Sequence, residues 1–323
     1  MRAVLVSEFG AADRLVAATV SDPMPGPTQV LVRQAAASVN RSDLLFRSGH
    51  YHGGPDLPAV PGSEGAGTVV SLGPEVDGLA VGDRVVGWGS SGFYAELAAI
   101  EAAKVLPVPD GVSLETAAAM PVAWLSAWYC LHHLAQVRRG QVVLVHAAAS
   151  GVGSAAIQIA KHAGASVIAV VGSSEKEMWV RALGADEVLD RHADDVVERA
   201  ANLTDGRGVD VVLDLVGGAT FAESLRAVGH TGRVVAMANV ALATSTVDTR
   251  DFYPNNVTIY GFQFTNLQRH GWDPRPDLQT LLDAVAVGQF TVPIDSRFAL
   301  ADAVAAHQRL ESGLTRGKVV LTP

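Results

Sequence analysis

A strand, a short turn with glycines and a helix follow one another from Val143 to His162. The turn is "AAASGVG". A G-x-G-x-x-G pattern with its last glycine on Gly153 has Ala148 and Ser150 at its first two glycine positions. Both are small, and a helix that starts here directs free N–H groups at a phosphate. The predicted pyrophosphate loop comprises Ser150, Gly151, Val152 and Gly153. The alternative is a strand-to-helix turn that binds nothing.

The turn after the next strand distinguishes between the two nicotinamide dinucleotides. An NAD site has Asp or Glu at the end of that strand, to bind the ribose 2′-hydroxyl. Here "SVIAVV" is followed by Gly172 and Ser173, with Lys176 close behind and Arg191 after the following strand. Hydroxyl and cationic groups of this kind bind a 2′-phosphate. We therefore predict that these four residues bind NADP(H). The alternative is that Lys176 and Arg191 are solvated surface charges.

The surrounding elements predict an α/β fold with two domains. Residues 1 to about 110 are short β-branched runs separated by Gly, Pro and Asp, which is typical of a compact β-barrel. From about residue 122, apolar strands alternate with helices, which indicates a doubly wound parallel sheet. We predict a β domain over 1–121, a dinucleotide-binding domain over 122–265, and a C-terminal segment, 266–323, that completes the first domain. Ser113 is expected to cap a helix.

Composition excludes several classes of protein. The 323 residues are 49% hydrophobic and 18% charged, as in a folded globular protein, and the net charge of −9 disfavours a nucleic-acid partner. The single cysteine, Cys130, excludes an internal disulfide and a multi-cysteine zinc site. We expect a cytoplasmic protein without an export signal or a membrane span.

Several longer motifs carry a family resemblance that runs nearly end to end. They are "ASVNRSDLLFRSGHY", "PAVPGSEGAGTVVSLGPEV", "VGDRVVGW", "GFYAELAAI", "HAAASGVGSAAIQIAKHAGA", "RALGADEVLD", "GVDVVLDLVGG" and "GKVVLTP". The chain resembles the zinc-independent quinone oxidoreductases, the ζ-crystallin-like branch of the medium-chain dehydrogenases/reductases. The resemblance implies a GroES-like β-barrel catalytic domain and a Rossmann domain. It also implies a homodimer that transfers hydride from NADPH to a quinone or an α,β-unsaturated carbonyl in the interdomain cleft.

The resemblance also bears on metal binding. Zinc alcohol dehydrogenases of this superfamily have Cys at the position of Asn40 and His at the position of Ser63, together with a four-cysteine lobe that this chain lacks. Amide and hydroxyl groups are poor zinc ligands, so we expect no metal. Hydride donation to a conjugated acceptor needs positioning and a hydrogen-bond donor rather than a Lewis acid.

The remaining site residues are assigned through the resemblance. Asn40 is expected at the junction of nicotinamide and substrate, and Tyr51 is expected to donate a hydrogen bond or proton, unless it only packs. The neighbouring His52 is expected in a solvated loop. The other residues expected to contact the cofactor are Ser126, Leu215, Val216, Gly217, Asn239, Phe264 and Lys318.

Three other functions stay open from the sequence. The nearest is an enoyl-thioester reductase that acts on a carrier-bound chain. A non-catalytic NADPH-binding protein of the crystallin kind is the second, and a two-domain structural protein that binds no nucleotide is the third.

Overall fold

The computed structural model describes residues 1–51 and 54–323, so His52 lies outside the described residues. The chain divides into two compact units. Unit 1 comprises Met1–Leu125 and Asp273–Pro323, and unit 2 comprises Ser126–Trp272. The predicted domain limits, after residues 121 and 265, lie a few residues before the limits of these units. The predicted limits stay a proposal.

The strands, in chain order, are β1 Arg2–Leu5, β2 Val16–Thr19, β3 Gln29–Val39, β4 Glu64–Leu72, β5 Arg84–Trp88, β6 Leu97–Glu101, β7 Val105–Pro107, β8 Val142–Val145, β9 Ser166–Val171, β10 Glu187–Asp190, β11 Val209–Asp214, β12 Val228–Ala236, β13 Thr258–Gly261, β14 Ile294–Ala299 and β15 Lys318–Thr322. The sequence pattern did not predict β2, β7 or β14. These are short or irregular strands with little alternation between apolar and polar residues.

The α-helices are α1 Arg41–Arg47, α2 Leu114–Ala118, α3 Pro121–Trp128, α4 Gly151–His162, α5 Glu177–Ala182, α6 Val196–Leu203, α7 Ala219–Ala227, α8 Phe264–Arg269, α9 Arg275–Ala286 and α10 Ala303–Glu311. A π-helical segment, Tyr129–Leu134, continues α3. Ser113 caps α2 as predicted, because its side chain accepts the N–H of Thr116. In the described part of the chain, no helix has both the length and the apolar character needed to cross a membrane.

Unit 1 is built on a seven-stranded sheet with the order β14-β15-β3-β4-β5-β7, and β6 pairs with β3. Its hydrophobic core lies between these strands and α10, around Val30, Val85 and Tyr94. The C-terminal strand β15 runs antiparallel to β3, with Val319 opposite Val39. Extending this register by one residue brings Lys318 to the position opposite Asn40. The C-terminal segment thus belongs to the sheet of the first unit.

Unit 2 contains the predicted parallel sheet, with the order β10-β9-β8-β11-β12-β13. Every pairing in it is parallel. The central strands β8, β9 and β11 are largely buried because α4 and α7 pack on them, whereas β13 at the edge is largely exposed. Since all strands run in one direction, their carboxyl ends lie along one edge of the sheet, where ligands of such folds bind. The α/β fold with a parallel Rossmann-type sheet is confirmed.

Candidate functional site

The predicted pyrophosphate loop joins β8 to α4 in unit 2. Ser150 is the N-cap of α4, and its side chain accepts the N–H of Gly153 at 3.0 Å. Helix α4 begins at Gly151, so its first turn has the free N–H groups that bind a phosphate. The chain enters the loop through Ala147, whose φ of 46° lies in the left-handed region. The small residues predicted from the sequence therefore form a strand-to-helix turn with the required geometry.

Gly153 is the position in this turn where a larger residue does not fit. A Cβ added there would lie 2.5 Å from the carbonyl oxygen of Ala147 and 2.6 Å from Cα of Ala148. The first turn of α4 thus packs directly on the backbone that leaves β8. This is the role of the third glycine of the pattern, close packing of helix against strand.

A cavity of about 140 Å³ lies at the carboxyl ends of β8, β9 and β10. Asp190 pairs with Val171 at the ends of β10 and β9. Arg191 and Gly172, the first residues after these strands, are therefore neighbours. A Cβ on Gly172 would lie 3.4 Å from Nε of Arg191. The cavity is lined by His146, Ala147, Val170, Val171, Gly172, Arg191, His192, Val216, Thr220 and Glu223. Three of the predicted cofactor residues, Gly172, Arg191 and Val216, are thus brought together.

The remaining residues of the predicted phosphate site follow Gly172 in the same turn. Ser173 is half-buried, and Lys176 is only 8% exposed, so the alternative of a solvated surface lysine is wrong. Arg191 is exposed, and its Nε donates to Nε2 of His192 at 3.2 Å. The guanidinium therefore lies at the exposed side of the cavity. This arrangement fits a dinucleotide with a phosphorylated ribose.

The turn after β11 is organised by Asp214. The strand ends at this residue, earlier than the sequence pattern indicates, because its Oδ1 accepts the N–H groups of Val216 at 2.8 Å and Gly217 at 3.0 Å. Gly217 has a φ of 76°, and a Cβ there would lie 2.9 Å from Cα of Asn239. The turn over Leu215–Gly217 and the segment around Asn239, both predicted to face the cofactor, are therefore in contact.

His146 directly follows β8 and lines the same cavity. Its ring is only 3% exposed, and Nε2 has no hydrogen-bond partner among the described residues. Burial lowers the pKa of His146 to about 4, although the Asp214 carboxylate acts in the opposite direction. The imidazole is therefore neutral at neutral pH. Sequence reasoning missed His146 as well as Glu223, which adds a carboxylate to the cavity wall.

In unit 1, Asn40 and Lys318 belong to one buried polar cluster with Glu64. Nζ of Lys318 donates to Oδ1 of Asn40 at 2.5 Å and to Oε1 of Glu64 at 2.9 Å. Nδ2 of Asn40 donates to the same carboxylate oxygen at 2.8 Å. All three side chains are buried, and the second oxygen of Glu64 accepts the N–H of Val122 at 2.6 Å. The cluster holds the Asn40 amide in one orientation, with its oxygen toward the ammonium and its nitrogen toward the carboxylate.

A second carboxyl group, that of Asp43, lies on the other side of Asn40. Its Oδ2 accepts the backbone N–H of Asn40 at 2.8 Å and the hydroxyl of Tyr94 at 3.2 Å. The Ser63 hydroxyl donates to Oδ1 of Asp43 at 3.3 Å, and Oγ of Ser63 accepts from Nδ2 of Asn40 at 3.3 Å. Burial raises the pKa of Asp43 to about 7, against the lowering effects of the Asn40 N–H and Lys318.

Behind Tyr94 the polar cluster continues to α10. The Tyr94 hydroxyl lies 3.1 Å from Nε2 of His307, and NH1 of Arg47 lies 3.4 Å from Nδ1 of the same ring. Burial and the Arg47 cation lower the pKa of His307 to about 3. Because a guanidinium only donates, Nδ1 is the acceptor and Nε2–H donates to Tyr94. Arg47 pairs with Glu311, which is partly exposed.

The other predicted site residues lie apart within their own units. Tyr51 is half-buried and packs against the hydrophobic core of unit 1, so both its predicted role and the packing alternative stay open. In unit 2, Ser126 is buried in α3, and Phe264 begins α8, where it contacts Trp272 edge-on. That Ser126, Phe264 and Lys318 contact the cofactor stays a prediction.

The residues around Asn40 do not fit a zinc ion. Asn40 and Ser63 offer an amide and a hydroxyl, and the ammonium of Lys318 already binds the oxygens of Asn40 and Glu64. A dication at this place would be repelled by the ammonium. Across residues 1–51 and 54–323, no group of three or more His, Cys, Asp or Glu side chains is arranged to hold a metal ion.

Several residues of the unit 1 cluster were not predicted. Asp43, Tyr94, His307 and Arg47 carry no pattern that distinguishes them from ordinary surface or core residues. One signal was present for Asp43, since it stands three residues after Asn40, the spacing of a capping box. His307 had no such signal, because only the packing of α10 on the sheet brings it to Tyr94.

Two family descriptions match the chain. Residues 26–110 match the alcohol dehydrogenase GroES-like domain, and residues 151–286 match the zinc-binding dehydrogenase family. A quinone oxidoreductase of Pseudomonas aeruginosa is 36% identical over 310 residues, which are 93% of this chain and 92% of that protein. The phthioceranic/hydroxyphthioceranic acid synthase of Mycobacterium tuberculosis is 33% identical over 298 residues, 92% of this chain but 14% of the synthase. The solved structure of a mycobacterial protein complexed with NADPH superposes with a TM-score of 0.94 at 37% identity, over the full length of both chains.

Proposed function

Because the chain belongs to the quinone oxidoreductase family of the medium-chain dehydrogenases/reductases, we propose that it reduces a quinone or an α,β-unsaturated carbonyl without a metal ion. The protein is an oxidoreductase that uses NADP(H). The cavity with Arg191 beside Gly172 supports the assignment of these residues to the ribose 2′-phosphate. When bound, NADPH supplies the hydride.

The observation that carries the proposal is the position of the Lys318 ammonium between Asn40 and Glu64. It occupies the donor atoms that a metal ion would need, which supports a reaction without the Lewis acid that oxidation of a simple alcohol uses. A quinone or enone spreads the charge that follows hydride addition onto its oxygen. Such an acceptor requires only positioned hydrogen-bond donors.

Two residues of unit 1 are proposed to act on the substrate. Asn40 is held in one orientation by Lys318 and Glu64, which limits its freedom and prepares it to position the acceptor. Tyr51 is proposed to donate a hydrogen bond to the carbonyl oxygen. The cofactor contacts proposed for this chain are those of the pyrophosphate loop, the Arg191 turn and Lys176, together with Ser126, Leu215, Val216, Gly217, Asn239, Phe264 and Lys318.

A second candidate activity is reduction of an enoyl thioester. It is favoured by the similarity to the mycobacterial synthase, which this chain matches over 92% of its own length. The chemistry is closely related, because an enoyl thioester is also a conjugated carbonyl that accepts hydride at carbon. A thioester differs from a quinone in its long carrier arm and in requiring protonation at carbon.

A comparison of acceptors tests these assignments. Steady-state oxidation of NADPH and NADH is measured with 9,10-phenanthrenequinone and with crotonyl thioesters, each with and without a chelator. We expect turnover with NADPH that a chelator leaves unchanged, and faster reduction of the quinone. Faster reduction of the thioester supports the second candidate. Binding of NADPH without turnover of any acceptor supports the non-catalytic crystallin-like alternative, and sensitivity to the chelator contradicts the metal-free mechanism.

The edge of the unit 2 sheet bears on the assembly of the protein. β13 lies at the edge of the unit 2 sheet and exposes 40% of Ile259, and an open apolar edge tends to pair. We propose a homodimer through this edge. The cytoplasmic location stays a prediction.

A further inference from the structure

We propose that Asp43 is the proton store of the reaction and delivers its proton to the reduced substrate through the hydroxyl of Ser63. This inference rests on the reductase function proposed above, because it concerns the proton that follows the hydride. It starts from the fact that the two carboxyl groups beside Asn40 have different partners. Glu64 pairs with the Lys318 ammonium, whereas the hydrogen-bond partners of Asp43 in the described structure are neutral.

The two oxygens of Asp43 are not equivalent. Oδ2 accepts two donors, the backbone N–H of Asn40 and the hydroxyl of Tyr94. The direction of the Tyr94 hydroxyl follows from His307, since Nε2–H occupies the side of the phenol oxygen that faces α10. A proton on Asp43 therefore resides on Oδ1, the oxygen that faces Oγ of Ser63 at 3.3 Å.

Ser63 connects this buried acid to the substrate side. It is half-buried, while Asp43 is 5% exposed. Nδ2 of Asn40 donates to Oγ of Ser63 at 3.3 Å. When Asp43 is protonated, the Ser63–Asp43 hydrogen bond reverses, so that Oγ accepts from both Asp43 and Asn40 and its own hydrogen points away from both, where the half-buried Ser63 can reach a bound acceptor. The donors thus form one directed chain, from Asp43 to Ser63 to a bound acceptor.

The proton balance of the step is complete. Hydride adds two electrons and one hydrogen to a carbon of the acceptor, which becomes an anion. The anion takes the hydrogen of the Ser63 hydroxyl, while Ser63 takes the proton of the Asp43 carboxylic acid. Asp43 is then a carboxylate and is protonated again from water through Ser63 once the product has left.

The electrostatic surroundings keep Asp43 available as an acid near neutral pH. Burial raises its pKa to about 7, and the negative charge of Glu64 acts in the same direction, while Lys318 opposes both. On the far side, Tyr94 and the neutral ring of His307 separate Asp43 from the Arg47 cation.

The first test compares variants of Ser63 in the full-length protein with NADPH and the best acceptor. Ser63→Ala removes the connecting hydroxyl, and we expect kcat to fall roughly tenfold to a hundredfold, within the range of general acid catalysis. Ser63→Thr keeps a hydroxyl and should retain most of the activity. Ser71→Ala, on the same strand as Glu64 but outside the cluster, is the matched control. Wild-type kcat in Ser63→Ala overturns the proposal.

The second test is the pH profile. Because the acid form of Asp43 is the active one, kcat should be constant below about pH 7 and fall as the pH rises above it. Asp43→Asn keeps an acceptor for the Asn40 N–H but loses the acid, so this fall should disappear along with most of the activity. A profile that is the same in Asp43→Asn and the wild type overturns the proposal. If Asp43→Asn does not fold, the Ser63 variants decide.

An infrared titration separates this inference from the proposed function. We expect a protonated-carboxyl band that is present at pH 5, is lost as the pH rises through about 7, and is absent in Asp43→Asn. Its absence in the wild type at pH 5 overturns the proton store. Failure of the wild type to oxidise NADPH with any quinone, enone or enoyl thioester instead contradicts the proposed function.

Discussion

Nζ of Lys318 lies 2.5 Å from Oδ1 of Asn40, although 278 residues separate them in the chain. The contact forms because the last strand, β15, pairs antiparallel with β3. It joins the last segment of the chain to the residue proposed to position the substrate. Glu64, which is fully buried, neutralises the ammonium, so each of the three groups depends on the others.

Lys318→Met is expected to lower the free energy of unfolding by about 3–5 kcal/mol, because it leaves the buried Glu64 carboxylate without its cation. Urea unfolding measures this change. Lys104→Met, at a partly exposed lysine of unit 1, is the control and should change the free energy little. A small effect of Lys318→Met would mean that Glu64 does not need the ammonium.

Gly153→Ala should weaken both folding and cofactor binding. The added Cβ would meet the backbone of Ala147 and Ala148 at 2.5–2.6 Å, so α4 must shift from the strand. We expect a loss of about 1–3 kcal/mol in unfolding free energy and a higher Kd for NADPH, measured by quenching of tryptophan fluorescence. Gly261→Ala, where a Cβ meets nothing within 4 Å, is the control. Unchanged NADPH affinity in Gly153→Ala would contradict the assigned loop.

Arg191→Gln is expected to raise the Kd of NADPH and to leave that of NADH nearly unchanged. Loss of a charged hydrogen bond to the 2′-phosphate costs about 1.5–3 kcal/mol, roughly tenfold to a hundredfold in affinity. Titration with each cofactor measures the ratio of the two Kd values. Arg181→Gln, which removes a cation paired with Glu177 on α5, is the control. Equal weakening of NADPH and NADH would exclude phosphate recognition by Arg191.

His146 should make the protein less stable in acid. Its pKa is about 4 in the folded protein and 6.5 in the unfolded chain, so between these values the unfolded state binds more protons. The free energy of unfolding therefore falls as the pH is lowered from 6.5 to 4, by up to about 1.4 kcal/mol per pH unit from this group. His146→Gln should reduce that slope, and His230→Gln, at an exposed residue, should not. The same slope in His146→Gln and the wild type would show that His146 is not the group responsible.

Ile259→Lys should convert the proposed dimer to a monomer. A charge at the exposed edge of β13 disfavours pairing with a second strand. Gel filtration at micromolar concentration measures the change, and Val287→Lys, at a residue that is 78% exposed in unit 1, is the control. Elution of the wild type as a monomer would refute the dimer at once.

The sequence by itself determined the fold class and the strand-to-helix turn that we propose as the cofactor loop, because both are encoded locally. Apolar strands alternating with helices indicate a parallel sheet, and the small residues before Gly153 indicate a turn that brings a helix start to a phosphate. The absence of an acidic residue after β9 predicted the 2′-phosphate from local sequence as well, because the end of β9 and the turn that follows it are adjacent in the chain. Short strands such as β2 and β7 were missed because they have too few residues to show a period.

Only the tertiary structure decided which polar groups meet. Lys318 and Glu64 come to Asn40 through the register of β15 and β4 on β3, and His307 comes to Tyr94 through the packing of α10. Pairing between distant strands depends on the whole buried surface and leaves no periodic signal near the residues concerned. The protonation of Asp43 depends on the same packing, because burial, rather than any neighbour in sequence, raises its pKa.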